Sequence, residues 1–277
     1  MPDSFIDKLK QKWNEGKFVC VGLDSDYDKL PPSVKTDSIE NSILNFNRGI
    51  IDSTNDLVCA YKINSAFYEA QVETWKAMYN TFLYLQGAYP DIPVILDAKR
   101  ADIGNTNQGY VKMAFENLKA DAITVHPYLG KEALGPFLSQ ADKGIFVLVR
   151  TSNPGSDELQ GLQMNGRPLY QLVAENIAKN WNTLGNCAVV VGATYPQELK
   201  KVREIIGDIP ILIPGIGAQG GDLESSVKNG LNSQKQGIII TSSRGIIYAS
   251  PGADFAQAAR AKTEQLHNQI TEVIKNV

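Results

Sequence analysis

Apolar residues recur at Phe5, Ile6, Leu9 and Trp13 with polar residues between them, which predicts an amphipathic helix over residues 3–15. The pattern then changes to short, nearly continuous apolar runs. They cover residues 18–24 (FVCVGLD), 57–64 (LVCAYKIN), 94–99 (VILDAK), 122–126 (AITVH), 145–150 (IFVLVR), 188–193 (AVVVGA), 211–216 (ILIPGI) and 237–243 (GIIITSS). Runs of this kind suit strands covered on both faces, as in a parallel sheet. Helix-period patterns separate them, over residues 38–51, 65–88, 107–118, 169–184, 196–206 and 223–229. Alternation on this scale predicts an α/β fold. We expect one (β/α)8 TIM barrel spanning residues 1–277, with an extra N-terminal helix. An open doubly wound sheet is the runner-up.

The strands are apolar until their C-terminal ends. There stand Asp24, Lys62, Asp97 with Lys99, His126, and Arg150 with Ser152; Gln219 and Arg244 lie just past strands seven and eight. Buried charges cost several kcal/mol unless paired, so stability alone does not explain a ring of them at one rim. In a parallel barrel that rim carries the active site. Scattered surface salt bridges are the bland alternative.

The densest constellation is Asp97-Ala98-Lys99-Arg100-Ala101-Asp102. Residues 97 and 99 share a face of a strand. An ammonium held between carboxylates is favoured in its charged form. That suits a positioned proton donor and argues against a Schiff-base nucleophile, which needs the free amine. Residues 214–221 (PGIGAQGG) contain a GxGxxG, but late in the chain and not in a first βαβ unit. A phosphate grip shared by the turns after strands seven and eight, with Arg244, fits better than a dinucleotide fingerprint. His126 stands without metal-spaced neighbours and reads as a structural residue, and His267 as a solvated one. Thr151-Ser152-Asn153-Pro154-Gly155 opens a polar stretch running to Pro168, either a plain surface loop or a lid over a polar ligand.

Charge and cysteine content narrow the function classes. Lys plus Arg total 27 against 30 Asp plus Glu, a net charge of −3 that argues against nucleic-acid binding. Cys20, Cys59 and Cys187 have no zinc-ligand spacing and read as buried thiols of a reduced protein. The first 16 residues lack the apolar core of a signal peptide, and no run approaches the roughly 18–20 apolar residues of a membrane span. The expectation is a cytoplasmic protein.

Taken in order, VGLD with Asp24, YKIN with Lys62, LDAKRADIGNT with Asp97, Lys99 and Asp102, TSNPG with Ser152, PGIGAQGG and SSRG with Arg244 resemble the orotidine 5′-monophosphate decarboxylase family, in the wording of its second bacterial subfamily. The likeness covers nearly the whole chain. It implies decarboxylation of orotidine 5′-monophosphate to uridine 5′-monophosphate, the last step of de novo pyrimidine synthesis, with no metal or organic cofactor. It implies that Lys99 protonates C6 as carbon dioxide leaves and that Asp97 faces the substrate carboxylate. Lys62 and Asp24 would hold the ribose hydroxyls and the charged network. Asp102 and Ile103 would enter the neighbouring subunit's site, making a homodimer, with Thr106 also at the substrate. Ser152 and Pro214 would contact the pyrimidine, and Gly217, Gln219, Ser243 and Arg244 the phosphate. Ser243 departs from the glycine of many relatives and keeps the backbone N–H. Two rivals are a Mg²⁺-dependent sugar-phosphate lyase of the same superfamily, disfavoured because Lys62 stands where an acidic metal ligand is needed, and a nucleotide-binding barrel without turnover.

Overall fold

A computed structural model describes residues 4–216 and 221–277. Eight parallel strands close on themselves: β1 Val19–Gly22, β2 Val58–Asn64, β3 Val94–Arg100, β4 Ala122–Val125, β5 Gly144–Arg150, β6 Cys187–Val191, β7 Ile211–Pro214 and β8 Ile238–Ser242. Each pairs with the next in the chain, and β1 pairs with β8 through Val19 and Ile240. The barrel is the closed sheet expected, not the open alternative. The paired segments are mostly shorter than the apolar runs, because several runs continue past the ladder into the loops above it.

The helices are α1 Phe5–Asn14, α2 Ile39–Thr54, α3 Val72–Ala88, α4 Gly104–Val111, α5 Gly130–Leu138, α6 Leu169–Asn176, α7 Pro196–Ile206, α8 Leu223–Gly230, α9 Arg244–Ile247 and α10 Phe255–Lys275. Four differences from the expected pattern have identifiable causes. Helix α3 starts at Val72, not residue 65, because buried Tyr68 donates its hydroxyl to the Leu23 carbonyl at 2.6 Å and holds the preceding turn against the end of β1. Helices α4 and α6 run on as π-turns over Lys112–Asn117 and Ile177–Trp181. Helix α5 has no counterpart in the periodicity, since Gly130, Gly135 and Pro136 interrupt its pattern. A small ribbon, Gln163–Met164 against Arg167–Pro168, turns at Asn165-Gly166, both at positive φ, a two-residue hairpin signal that went unread in the polar stretch.

Helix α1 closes the N-terminal mouth of the barrel. Ser4 and Asp7 form a capping box at its start. The Phe5 N–H donates to the Asp142 carbonyl, just before β5, and the Phe5 ring meets Phe146 edge-on at 5.5 Å. The Trp13 indole donates to the Ile238 carbonyl at 2.9 Å, at the start of β8. Lys8 and Lys12 pair with Asp121 and Asp91, before β4 and β3. One helix thus bridges strand starts around the ring, leaving the opposite mouth for chemistry. Cys20, Cys59 and Cys187 are free and buried, as expected. Burial pushes the Cys20 and Cys187 thiols up to about 12, so they stay protonated. Among the described residues no helix is long and apolar enough to cross a membrane.

Candidate active site

A cavity of about 570 Å³ opens at the C-terminal ends of the strands. Asp24, Lys62, Asp97, Lys99, Ser152, Pro214, Ser243 and Arg244 all line it. They come from six βα units, far apart in sequence, and the parallel barrel alone brings them together.

Four of these side chains form a row of alternating charge. The Lys62 Nζ lies 3.4 Å from Asp24 Oδ1 and 3.2 Å from Asp97 Oδ2. The Lys99 Nζ donates to Asp97 Oδ1 at 2.6 Å. Lys62, Asp24 and Asp97 are almost enclosed, with side chains 6%, 12% and 11% exposed, whereas Lys99 at 48% reaches into the cavity. Burial alone would raise the Asp97 carboxyl, but the Lys62 and Lys99 ammonium groups override it and hold it down at about 2. Burial likewise works against the Lys62 ammonium, yet Asp97 and Asp24 push its pKa above the ordinary value. Asp97 is therefore ionised and Lys62 charged at neutral pH. The row presents a fixed carboxylate and a reachable ammonium side by side.

Two close approaches shape the rim. A Cβ on Gly22 would lie 1.9 Å from the Ser243 hydroxyl, so the bare backbone of β1 makes room for a serine at this turn. A Cβ on Gly192 would strike Ser152 at 2.7 Å. The stretch after β5 supplies Thr151, Ser152, Asn153 and Gln160 to the wall. It is tied down by Thr151 N–H to Gln160 Oε1 at 2.8 Å and by Gln160 Nε2 to Thr151 Oγ1 at 2.9 Å. Arg244 is exposed and makes no ion pair among the described residues, leaving its guanidinium open to an anion.

Two rim residues turn away. A register shift between Leu148 and Arg150 in the β5–β6 pairing breaks the alternation, so Leu148 lines the cavity and Arg150 does not. Its guanidinium instead bonds Ser156 at 3.0 Å and Asp157 at 2.7 Å and stacks 3.8 Å over Tyr195. It anchors the loop from behind. His126 follows the last paired residue of β4 and also lies outside the cavity wall; its Nδ1 is buried without a partner among the described residues.

Asp102, Ile103 and Thr106 do not line this chain's cavity either. The Asp102 carboxylate accepts the Ile103 N–H at 2.7 Å, and the Ile103 side chain is 62% exposed. Thr106 lines a separate cavity of about 370 Å³ with Glu69 and Arg100. Gly217 and Gln219 lie outside the described residues. Sequence reasoning missed Asn64, Thr124 and Thr241, which also line the site. Period-two spacing from Lys62 on β2 pointed to Asn64; Thr124 and Thr241 stand inside runs that read as plain core.

The model of the orotidine 5′-phosphate decarboxylase / HUMPS family matches residues 17–261. The chain belongs to this family. It is 48% identical over 269 residues to the orotidine 5′-phosphate decarboxylase of Cellvibrio japonicus, covering 96% of this chain and 98% of that one. The decarboxylase of Ralstonia nicotianae is also 48% identical, with 97% and 98% covered. Among solved structures, the OMP decarboxylase of Leishmania donovani superposes with a TM-score of 0.82 at 37% identity, covering 97% of this chain and 99% of that one. UMP synthase of the same organism gives 0.85 at 38%, but this chain spans 57% of that longer protein.

Proposed function

We propose that this chain converts orotidine 5′-monophosphate to uridine 5′-monophosphate and carbon dioxide, with Lys99 giving the proton to C6. The observation that carries the assignment of roles is the row Asp24–Lys62–Asp97–Lys99, ending in an ammonium that reaches the same cavity as Arg244. Breaking the C6–carboxylate bond leaves its electron pair on C6, where the ring offers little delocalisation. A fixed positive charge beside C6 is what such a carbanion needs, and it costs no reorganisation at the moment of reaction. The Lys99 N–H then passes its proton to C6, and the amine regains one from water. Asp97 stands against the departing carboxylate. It is held ionised by Lys62 from behind, so it repels the substrate carboxylate while the product, carbon dioxide, is neutral.

Asp24 and Lys62 bond the ribose hydroxyls, and Ser152 and Pro214 meet the pyrimidine, a reading supported by all four lining one cavity. Arg244, Ser243 and, beyond the described residues, Gly217 and Gln219 take the phosphate, whose contacts lie far from C6 and support the chemical step through remote binding. Asp102, Ile103 and Thr106 serve the cavity of a second copy in a homodimer. Their position outside their own chain's cavity supports this, as do the exposed apolar Ile103, Tyr128 and Leu129 in the neighbouring loops after β3 and β4.

The test is to mix purified protein with orotidine 5′-monophosphate in excess EDTA and follow the orotate absorbance. Loss of the chromophore with uridine 5′-monophosphate as product is expected. An unchanged spectrum with folded protein would reject the reading.

A further inference from the structure

In the ladder between β3 and β4, Leu96 pairs with Ile123 and the next pair is Arg100 with Val125. Three residues of β3, Asp97 to Lys99, therefore stand opposite the single residue Thr124. Across this bulge Lys99 takes a φ of +48°, a left-handed backbone that is uncommon for a residue with a Cβ. A bulge of this kind deprives Lys99 of a ladder partner on β4. Its N–H donates instead to the Thr124 hydroxyl at 2.9 Å. With its oxygen accepting there, the Thr124 hydroxyl spends its own proton on Asp97 Oδ1 at 2.8 Å, the same oxygen that receives Lys99 Nζ at 2.6 Å. Thr124 is buried, 1% exposed, and β-branched on a strand, so its hydroxyl has little freedom to leave.

We infer that Thr124 is a positioning residue for the decarboxylation: one hydroxyl fixes both the backbone that carries Lys99 and the carboxylate that Lys99 faces. This rests on the proposed role of Lys99. The bulge gives the lysine its reach, and the hydroxyl closes the bulge where the backbone cannot. The side chain of Thr124 acts through Lys99 and Asp97 and transfers no proton to substrate. Val94, Ile95 and Leu96 precede the bulge as plain core, so the irregularity begins where the chemistry does.

Thr124→Val keeps the shape and removes the hydroxyl, while Thr124→Ser keeps the hydroxyl and removes the methyl. In steady-state kinetics with orotidine 5′-monophosphate, Thr124→Val is expected to lower kcat by about a hundredfold, the scale of loss for a misplaced catalytic group, with KM within about threefold. Thr124→Ser should stay within about threefold of the parent in both. If Thr124→Val does not fold, Thr124→Ser against Thr124→Ala isolates the same hydroxyl. A parental kcat for the hydroxyl-free variant, beside an inactive Lys99→Ala, would overturn the positioning role and leave that of Lys99 standing. Equal losses for Ser and Val would overturn it too, by assigning the effect to packing of the methyl. Full turnover by Lys99→Ala would fail the underlying reading instead.

Discussion

The two mouths of the barrel each bury a lysine, and they use it differently. At the N-terminal mouth the Lys12 side chain is 5% exposed, but its partner Asp91 is 64% exposed, so the pair ends in water. The stem of Lys12 fills space under the barrel and the charge is relieved outside. At the C-terminal mouth Lys62 sits between two carboxylates that are themselves enclosed. There the charges have little solvent to fall back on and depend on one another. The first arrangement is explained by closing a barrel; the second makes sense when something else is to be held or transformed beside it. Burial of charge alone does not mark an active site. Burial of the partners as well, with one member left reaching outward, does.

Removing each lysine breaks the comparison most sharply. Lys62→Ala leaves Asp24 and Asp97 facing each other with no counter-charge between them. Breaking a buried pair of this kind costs about 3–5 kcal/mol. A substantially lowered melting temperature in a thermal scan at pH 7 is the expected outcome. An unchanged one would show that the row is not an electrostatic unit.

Acid titration gives a smaller effect. The Asp97 carboxyl is held at about 2 against an ordinary 3.8, so it is depressed in the folded state. The stability it contributes is therefore present above about pH 4 and is lost as pH falls toward 2. The amount is about 2 kcal/mol. Denaturant unfolding at a series of acid pH values should show this slope in the parent and a flatter one in Asp97→Asn. The same slope in both would contradict the assignment.

The smallest effect belongs to the other mouth. Lys12→Ala leaves an exposed Asp91 and should cost about 1 kcal/mol or less, since pairs that end in solvent contribute little. Its kcat should match the parent. A loss as large as that of Lys62→Ala would erase the distinction between the mouths.

The architecture was legible because its signals are local. Eight Val- and Ile-rich runs and the helical patterns between them state a parallel barrel without any long-range information. The charged row was legible for a related reason: Asp24, Lys62, Asp97 and Lys99 all end apolar runs, where parallel topology gathers strand ends. Arg150 and His126 also end apolar runs; His126 was set aside as structural and lies outside the cavity, whereas Arg150 was expected at the site and turns away from it. A register shift after Leu148 and the end of the ladder at Val125 decide their direction, and neither leaves a trace in a list of residue types. Thr124 was invisible for the opposite reason. In AITVH it reads as a β-branched core residue, and only the three-against-one bulge across from it turns its hydroxyl into a partner for Lys99. The resemblance implied that Asp102 and Ile103 act in a neighbouring subunit's site and that Thr106 meets the substrate; all three lie outside their own chain's cavity.

The claim at the centre of this account is that the exposed end of the charged row delivers the proton. The most direct test is a single turnover with Lys99→Ala in excess over orotidine 5′-monophosphate, quenched and analysed for uridine 5′-monophosphate, after circular dichroism has shown the variant folded. The account predicts that the substrate binds and that product forms at least about a thousandfold more slowly than with the parent, the scale of losing a positioned acid together with its charge. Product formation at a rate close to the parent's would contradict it.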